Sequence, residues 1–313
     1  MKLSSARVVD PILTSIALGF SNPAFVGMNL FPFVPVSLRG GKVIEFNKDN
    51  FKTVDAVRAP GAATKRISVG FGSQDFVLVD LSLDAQVPRE EVEEASKGPG
   101  VDLQKIAIND VQELLGRALE IEQAGIARDA SNYAAANKVT LGGGSRFNDA
   151  TTDPLPIFET AKKAIRVRIG QNPNTVMMPP DVLSALRQNP FVQDQVKYTG
   201  SGAPTAAKVT LPMLEEYLGI AKIIVCESVV LNETTDDLDD IWGKDVVIAW
   251  VNPTATNNRQ PNFGYTYRLK GYPIVEATYY EQSSKSWING YTDSRQPKIT
   301  MADAAYLIVT AVD

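Results

Sequence analysis

The chain has 313 residues, of which 44% are hydrophobic and 21% charged, so it can bury a large core, which argues against disorder as a whole. Its formal net charge of -5 excludes the overall basic character of a protein that works by binding phosphates. Histidine is absent, which removes the usual general base and the commonest metal ligand, whereas catalysis by carboxylates or lysine stays open.

Residues 1–40 are predicted to form an N-terminal arm with a short helix near 12–18. The stretch 11–38 carries no charged residue, but prolines interrupt it, so an uncharged arm is favoured over a membrane span or a signal peptide. Such an arm has little interior of its own, and its apolar side chains are expected to pack on another surface. The candidates for contacts with neighbouring chains are therefore Phe20, Phe25, Phe31 and Phe33.

Two long strands are predicted over 42–57 and 66–87, and the second alternates apolar and polar residues with the period of a strand. The segment between them is basic and rich in turn residues, and it places Arg58, Lys65 and Arg66 at the tip of a long hairpin. An isolated two-stranded ribbon buries too little apolar surface to offset its ordering. We therefore expect the same chain or a neighbouring one to support it.

An acidic run comes next, consisting of Glu90, Glu91, Glu93 and Glu94. The longest helix is predicted over 102–136 and would span about 50 Å. Its buried stripe is predicted to contain Leu103, Ile106, Val111, Leu114, Leu115, Ala118, Ile121 and Ala124. We hypothesise that the basic tip of the hairpin docks on the acidic run of a neighbouring chain. Two ordinary solvated charge clusters are an equally weighted alternative.

The second half of the chain alternates helices and strands. Helices are predicted over 155–169, 180–186, 191–197 and 211–218, and apolar strands over 175–178, 223–226 and 246–251. This order indicates a small α/β unit with a central sheet. Further strands are predicted over 265–280, 286–291 and 304–312.

Motifs for catalysis or for a cofactor are incomplete, and no cofactor is expected. The segment Gly70-Phe71-Gly72 lacks the third glycine of the dinucleotide fingerprint, and no G-x-S-x-G elbow occurs. The single cysteine, Cys226, is expected to be a small apolar residue buried in the core. One cysteine cannot form a disulfide within the chain, which fits synthesis in the reducing cytoplasm of a cell.

Two charged clusters each allow a functional and a structural interpretation. The acidic loop of Asp236, Asp237, Asp239 and Asp240 could bind a hard cation, but a solvated turn between two strands is favoured and no metal site is assigned. The helix over 155–169 could touch nucleic acid, although an exposed solvated face is favoured, through Lys162, Lys163, Arg166 and Arg168.

The order of these features resembles the major capsid proteins of tailed bacteriophages. The resemblance is carried by the arm segment 30–36, the long hairpin, the long helix, the segments 214–225 and 240–246, and the C-terminal runs 263–267 and 303–308. It implies an α+β Hong Kong 97-like phage capsid fold with an N-terminal arm, an extended β-hairpin loop, a long spine helix, and peripheral and axial domains.

The resemblance also implies a division of the chain. The expected parts are the arm at 1–40, the extended loop at 41–87, a peripheral domain with the spine helix at 88–169, an axial domain at 170–270, and return strands of the peripheral domain at 271–313.

The function implied by the resemblance is that of a shell subunit and not an enzyme. Copies would form the hexamers and pentamers of an icosahedral shell around double-stranded DNA, with which contact is non-specific. The implied partners are a separate scaffolding protein, a portal and, as a further class, decoration proteins, but no membrane. The chain would be made in the cytoplasm of a bacterial host and end in the virion capsid.

Three alternatives stay open. An encapsulin-type compartment shares the fold but packages protein, so DNA in purified particles would separate the two. A carboxylate-dependent or metal-dependent enzyme using residues 236–240 would stay a small species with cation-dependent activity. A tail or adaptor protein would form rings or tubes rather than closed shells.

Overall fold

The computed structural model describes residues 22–45, 57–58, 64, 72–95, 102–199, 209–252 and 261–313. Within them the helices are α1 (Arg89–Ala95), α2 (Leu103–Arg128), α3 (Leu155–Ile169), α4 (Pro180–Gln188), α5 (Pro190–Thr199) and α6 (Leu211–Leu218). Helices α3 and α6 have the predicted bounds. None of the helices in these ranges combines the length and the apolar character that crossing a membrane requires.

Most of the described strands are short, and β14 is the longest of them. They are β1 (Phe33–Val36), β2 (Gly40–Glu45), β3 (Gly72–Val77), β4 (Val79–Pro88), β5 (Lys138–Thr140), β6 (Thr175–Met178), β7 (Lys222–Val225), β8 (Val229–Asn232), β9 (Asp237–Asp240), β10 (Val246–Ala249), β11 (Gly264–Leu269), β12 (Ile274–Val275), β13 (Tyr279–Glu281), β14 (Ser286–Ile299) and β15 (Ala305–Val309).

Strand β14 organises a six-stranded sheet. One of its edges pairs with β4, with residues 286–295 opposite 79–88, and its other edge pairs in turn with β13, β12 and β11. Strand β1 of the arm extends the sheet as a parallel neighbour of β11. Helix α2 lies on this sheet, where Ile108 and Val111 pack against Val275 and Tyr291.

A second, five-stranded sheet has the order β5-β15-β10-β6-β7. Every residue of β6 and β10 is buried, as expected for strands covered on both faces, and helices α3 and α6 pack into the same core. The predicted axial range 170–270 supplies β6, β7 and β10, whereas β5 and β15 come from outside it. Cys226 is buried in this core, and burial raises the pKa of its thiol.

The strand predicted over 66–87 is divided at Leu78. Strand β3 pairs with β2, whereas β4 leaves the hairpin and pairs with β14. Phe76 and Leu78 are buried, whereas Val77 is 65% and Val79 52% exposed, so the apolar face expected from continuous alternation is wrong at these positions. Up to Leu78 the buried side chains belong to even-numbered residues, and in β4 the more buried ones belong to odd-numbered residues.

Helix α2 ends at Arg128, earlier than the predicted residue 136. Asp129 has extended backbone angles, and its side chain accepts a hydrogen bond from the N–H of Ser131, which stabilises a local turn instead of a further helical turn. The predicted stripe is also wrong in part: Ile106, Leu114 and Ile121 are 45%, 52% and 42% exposed. The buried face instead includes the polar residues Gln112, Glu120 and Gln123.

Strand β14 extends to Ile299, well beyond the predicted residue 291, because its charged residues are paired inside the protein. Asp293 is fully buried and accepts hydrogen bonds from Arg268 at 3.0 Å and from Arg295 at 3.3 Å. The guanidinium of Arg295 also donates to the backbone oxygen of Leu115 on α2 at 2.5 Å. Burial lowers the pKa of Arg295, and the charge of Asp293 opposes that shift.

Candidate assembly surfaces

The arm is anchored to its own subunit from residue 22 onward. Leu30 and Phe31 are fully buried in the main core, where the ring centroid of Phe31 lies 5.4 Å from that of Phe263. The backbone after Phe31 then pairs with β11. The prediction that Phe31 contacts a neighbouring chain is therefore wrong, because its side chain is fully buried in the core of its own subunit.

The other arm phenylalanines differ from Phe31. Phe25 and Phe33 are half-buried; Phe25 lies against Gly116 of α2, and the guanidinium of Arg268 lies 3.9 Å above the ring centroid of Phe33. Both keep exposed area, so their contacts with a neighbouring chain stay a proposal. Phe20 lies outside the described residues.

A buried carboxylate on α2 holds the arm in place. Glu120 is 1% exposed and accepts hydrogen bonds from the backbone N–H of Val26 at 3.1 Å and of Gly27 at 3.0 and 2.9 Å. The indole N–H of Trp242 donates to the same carboxylate at 2.7 Å. Burial raises the pKa of Glu120, and these hydrogen bonds oppose the shift. The anchor is not predicted from the sequence, although an acidic residue beside apolar positions of a helix is a usable signal.

The close approach of the arm to α2 predicts the effect of a glycine substitution. A Cβ atom at Gly27 would lie 2.2 Å from Gln123 Oε1 and 2.8 Å from Glu120 Oε2. Gly27→Ala is therefore expected to cost about 1–3 kcal/mol of unfolding free energy through overpacking. The control is Gly125→Ala on α2, where a Cβ would meet nothing within 4 Å and a gain of about 0.5–1 kcal/mol is expected. Urea unfolding of unassembled subunits measures both, and equal effects would contradict the prediction.

The base of the predicted hairpin packs on the six-stranded sheet, whereas its tip lies only partly within the described residues. Phe76 stacks on Tyr267 of β11 with ring centroids 4.9 Å apart, and Arg39 pairs with Asp80. Arg58 is described and exposed. Lys65 and Arg66 lie outside the described residues.

The acidic run forms helix α1 on the surface. Glu90, Glu91, Glu93 and Glu94 are all exposed. Arg89 pairs with Glu90 at 3.7 Å and with Glu93 at 3.4 Å, so part of the negative charge is compensated inside the subunit. The remaining acidic surface is offered mainly by Glu91 and Glu94.

The acidic loop predicted over 236–240 is largely a strand. Asp237, Asp239 and Asp240 belong to β9, which pairs with β8 to form a two-stranded ribbon, and only Asp236 lies in the turn. Neighbouring carboxylates on β9 alternate between its two faces. In the part of the chain that the structure describes, no group of three or more Cys, Asp or Glu side chains is placed to hold a metal ion.

The basic face of α3 is smaller than predicted. Lys162 donates to the backbone oxygen of Leu218 at 2.7 Å and pairs with Glu159, and Arg168 pairs with Asp303 at 2.7 Å. Lys163 and Arg166 are exposed, as is Val167 at 77%. The exposed cations are thus two, not the predicted four.

Comparisons with known proteins identify relatives over nearly the whole chain, although no family model matches it. The major capsid protein of Burkholderia phage BcepMu is 33% identical over 313 residues, which cover 98% of each protein. The crystal structure of a phage-related protein from Bordetella bronchiseptica RB50 matches with a TM-score of 0.82 and 38% identity, covering 98% of each chain.

More distant structures share the fold alone. The mature capsid of bacteriophage PhiM1 matches with a TM-score of 0.54 and 13% identity, covering 94% of this chain and 90% of the other. The SrpI encapsulin of Synechococcus elongatus matches with the same TM-score and identity, covering 93% and 89%. The encapsulin alternative is the weaker one, because a capsid relative is far more similar in sequence.

These matches confirm the predicted fold class and the predicted role of the protein. The protein is part of the virion capsid, where it assembles with other copies of itself into a shell. Its sequence and its structure agree on one conclusion: the chain belongs to the phage major capsid proteins with the Hong Kong 97-like fold.

Proposed function

We propose that copies of this chain form the hexamers and pentamers of a closed icosahedral shell that encloses the double-stranded DNA genome of a tailed phage. In this role residues 1–40 are the arm, 41–87 the extended loop, 88–169 and 271–313 the peripheral domain, and 170–270 the axial domain. A separate scaffolding protein and a portal act during assembly, and decoration proteins are a further class of partner. DNA contacts are non-specific.

The observation that carries the proposal is the apolar surface left open on α2. Leu114 and Ile121 lie two helical turns apart on one side of the helix, with Ala118 between them, and they are 52% and 42% exposed. Apolar side chains exposed on one side of a helix favour a contact with another polypeptide. Many such modest contacts, repeated between copies, are sufficient to hold a shell together.

Electron microscopy tests the proposal directly. The chain is expressed alone and together with the proteins encoded beside it, and particles are imaged by negative stain. Closed shells with fivefold and sixfold capsomers are expected. Rings, tubes or a persistent monomer under both conditions would contradict the proposal. Nuclease-protected DNA in particles from infected cells, rather than packaged protein, separates it from an encapsulin.

We also propose that the role is structural rather than catalytic. The relatives that cover the chain are capsid proteins, and the sequence contains no histidine to act as a general base near neutral pH. Cation-dependent hydrolysis by purified shells, abolished by Asp237→Asn and Asp239→Asn, would contradict this.

The basic tip of the loop is proposed to dock on α1 of a neighbouring subunit. Reversing Lys65 and Arg66 to Glu is expected to lower the yield of closed shells several-fold, because attraction to Glu91 and Glu94 becomes repulsion at every copy of the contact. Adding Glu91→Lys and Glu94→Lys is expected to restore assembly. Particle yield by sedimentation measures both effects, and normal assembly of the Lys65 and Arg66 variant would remove the docking hypothesis.

A further inference from the structure

The ribbon of β8 and β9 (residues 229–240, here the acidic ribbon) exposes one apolar face. Leu231 lies opposite Leu238, and Val229 lies opposite Asp240, so these four side chains share a face. Leu238 is 67%, Leu231 52% and Val229 38% exposed. The opposite face contacts the main core through Val230, so the stripe lies on the outward face of the ribbon, where exposed apolar side chains favour a contact surface.

The charge around this stripe is of one sign. No lysine or arginine occurs between Lys222 and Lys244, and the acidic residues of that interval are Glu227, Glu233, Asp236, Asp237, Asp239 and Asp240. The tip residues Glu233, Asp236 and Asp237 are exposed. A partner that covers the stripe must therefore offer positive charge beside apolar surface.

The same chain carries a surface with that combination. A groove beside α3 is lined by Lys162, Lys163, Arg166, Val167, Asn172 and Gly219, together with Glu159 (here the basic groove). Lys163 and Arg166 are exposed and, among the described residues, make no ion pair. Val167 lies one helical turn after Lys163 and directly after Arg166, and it is 77% exposed, so it places apolar surface beside the cations.

The two surfaces lie at opposite ends of the same pair of strands. Strands β6 and β7 are parallel, and they start at Thr175 and Lys222, close in sequence to Asn172 and Gly219 of the basic groove. They end at Met178 and Val225, and the acidic ribbon follows the end of β7. A contact between ribbon and groove is therefore a head-to-tail contact between copies, and such contacts close into rings when the rotation between copies allows it.

We propose that the acidic ribbon of one subunit docks in the basic groove of the next subunit around a capsomer. Leu231 and Leu238 cover Val167, and the carboxylates of Glu233 and Asp236, in the turn that joins β8 to β9, face Lys163 and Arg166. The inference rests on the proposed shell function and adds the partner surfaces. Each charge pair is weak by itself, but the contact is repeated at every subunit of a ring, so the ring is sensitive to its sign.

A charge exchange tests the contact. Lys163→Glu with Arg166→Glu, and separately Glu233→Lys with Asp236→Lys, are each expected to lower the yield of capsomers and shells by about tenfold. All four substitutions together are expected to restore it to within about threefold, because opposite charges face each other again. The control is Lys270→Glu with Lys285→Glu, an equal reversal at exposed lysines near the other sheet, which is expected to assemble normally.

Each outcome decides the proposal. Circular dichroism and the unfolding midpoint show which variants are folded, and Leu238→Asn supplies a further variant that weakens the apolar part without changing charge. Rescue by the fourfold variant supports the contact. Normal assembly of either reversed pair, or folded fourfold subunits that stay unassembled, overturns it while leaving the shell function intact. An unmodified chain that never assembles, alone or with its genomic neighbours, overturns both.

Discussion

Glu120→Leu is expected to lower the unfolding free energy of the subunit by about 3–5 kcal/mol. The substitution removes the acceptor for three donors, the N–H groups of Val26 and Gly27 and the indole N–H of Trp242. Buried donors without an acceptor each cost about 1–3 kcal/mol unless the arm leaves the body and exposes them to water. Urea unfolding followed by tryptophan fluorescence measures the loss.

Glu113→Leu is the matched control for this prediction. Glu113 lies on the same helix but forms only a surface pair with Arg117 at 3.0 Å. Its loss is expected to cost no more than about 0.5 kcal/mol. If the two leucine variants unfold at the same urea concentration, the anchoring role of Glu120 is wrong.

Asp293→Leu is expected to have an effect of similar size, about 3–5 kcal/mol, because it leaves a buried cation without its partner. Arg295 is 3% exposed and cannot reach water without displacing β14 from α2. Adding Arg295→Met removes that buried charge and is expected to recover most of the loss, since a buried ion pair is often replaced by apolar residues at little cost.

The double variant provides the decisive comparison. The urea midpoints of the two single variants and of the double variant define a double-mutant cycle. A double variant as unstable as the sum of both single variants would show that the two side chains do not act as a pair.

Local signals account for the elements predicted with the right bounds. Helices α3 and α6 end where Gly170 and Gly219 adopt the left-handed conformation, with φ of 72° and 62°, and a glycine after the last apolar turn is visible in the sequence. Strand β6 is a short run of buried apolar residues, which the sequence also displays. These elements are encoded within a few residues of their ends.

The errors arise where distant residues decide. The face of α2 was assigned from apolar spacing, but Glu120 and Gln123 are buried because the arm and β11 supply their hydrogen-bond partners. Strand β14 continues through charged residues because Arg268, from another strand, pairs with Asp293. The division of the second strand at Leu78 depends on β14 as a partner for β4. None of these partners is adjacent in the sequence.

Of the candidate contact residues, the charged ones are recognised from the sequence more readily than the apolar ones, for the same reason. Charge is evident from the sequence, so the acidic run is recognised there, whereas its folding as helix α1 is not predicted. Phe31 was misassigned because an apolar residue in an arm has the same sequence signature whether it packs on its own subunit or on a neighbour. Only the position of Phe263 beside it distinguishes the two.

The pairing of β4 with β14 has a mechanical consequence. Residues 79–88 are held along their whole length by residues 286–295 through hydrogen bonds that run perpendicular to both strands. Tension applied along β4 from the side of β3 therefore loads all of these bonds in shear at once instead of peeling them apart one by one. A pressurised shell built from such subunits would pass outward stress from β4 of each subunit directly into β14, with which β11, β12 and β13 also pair.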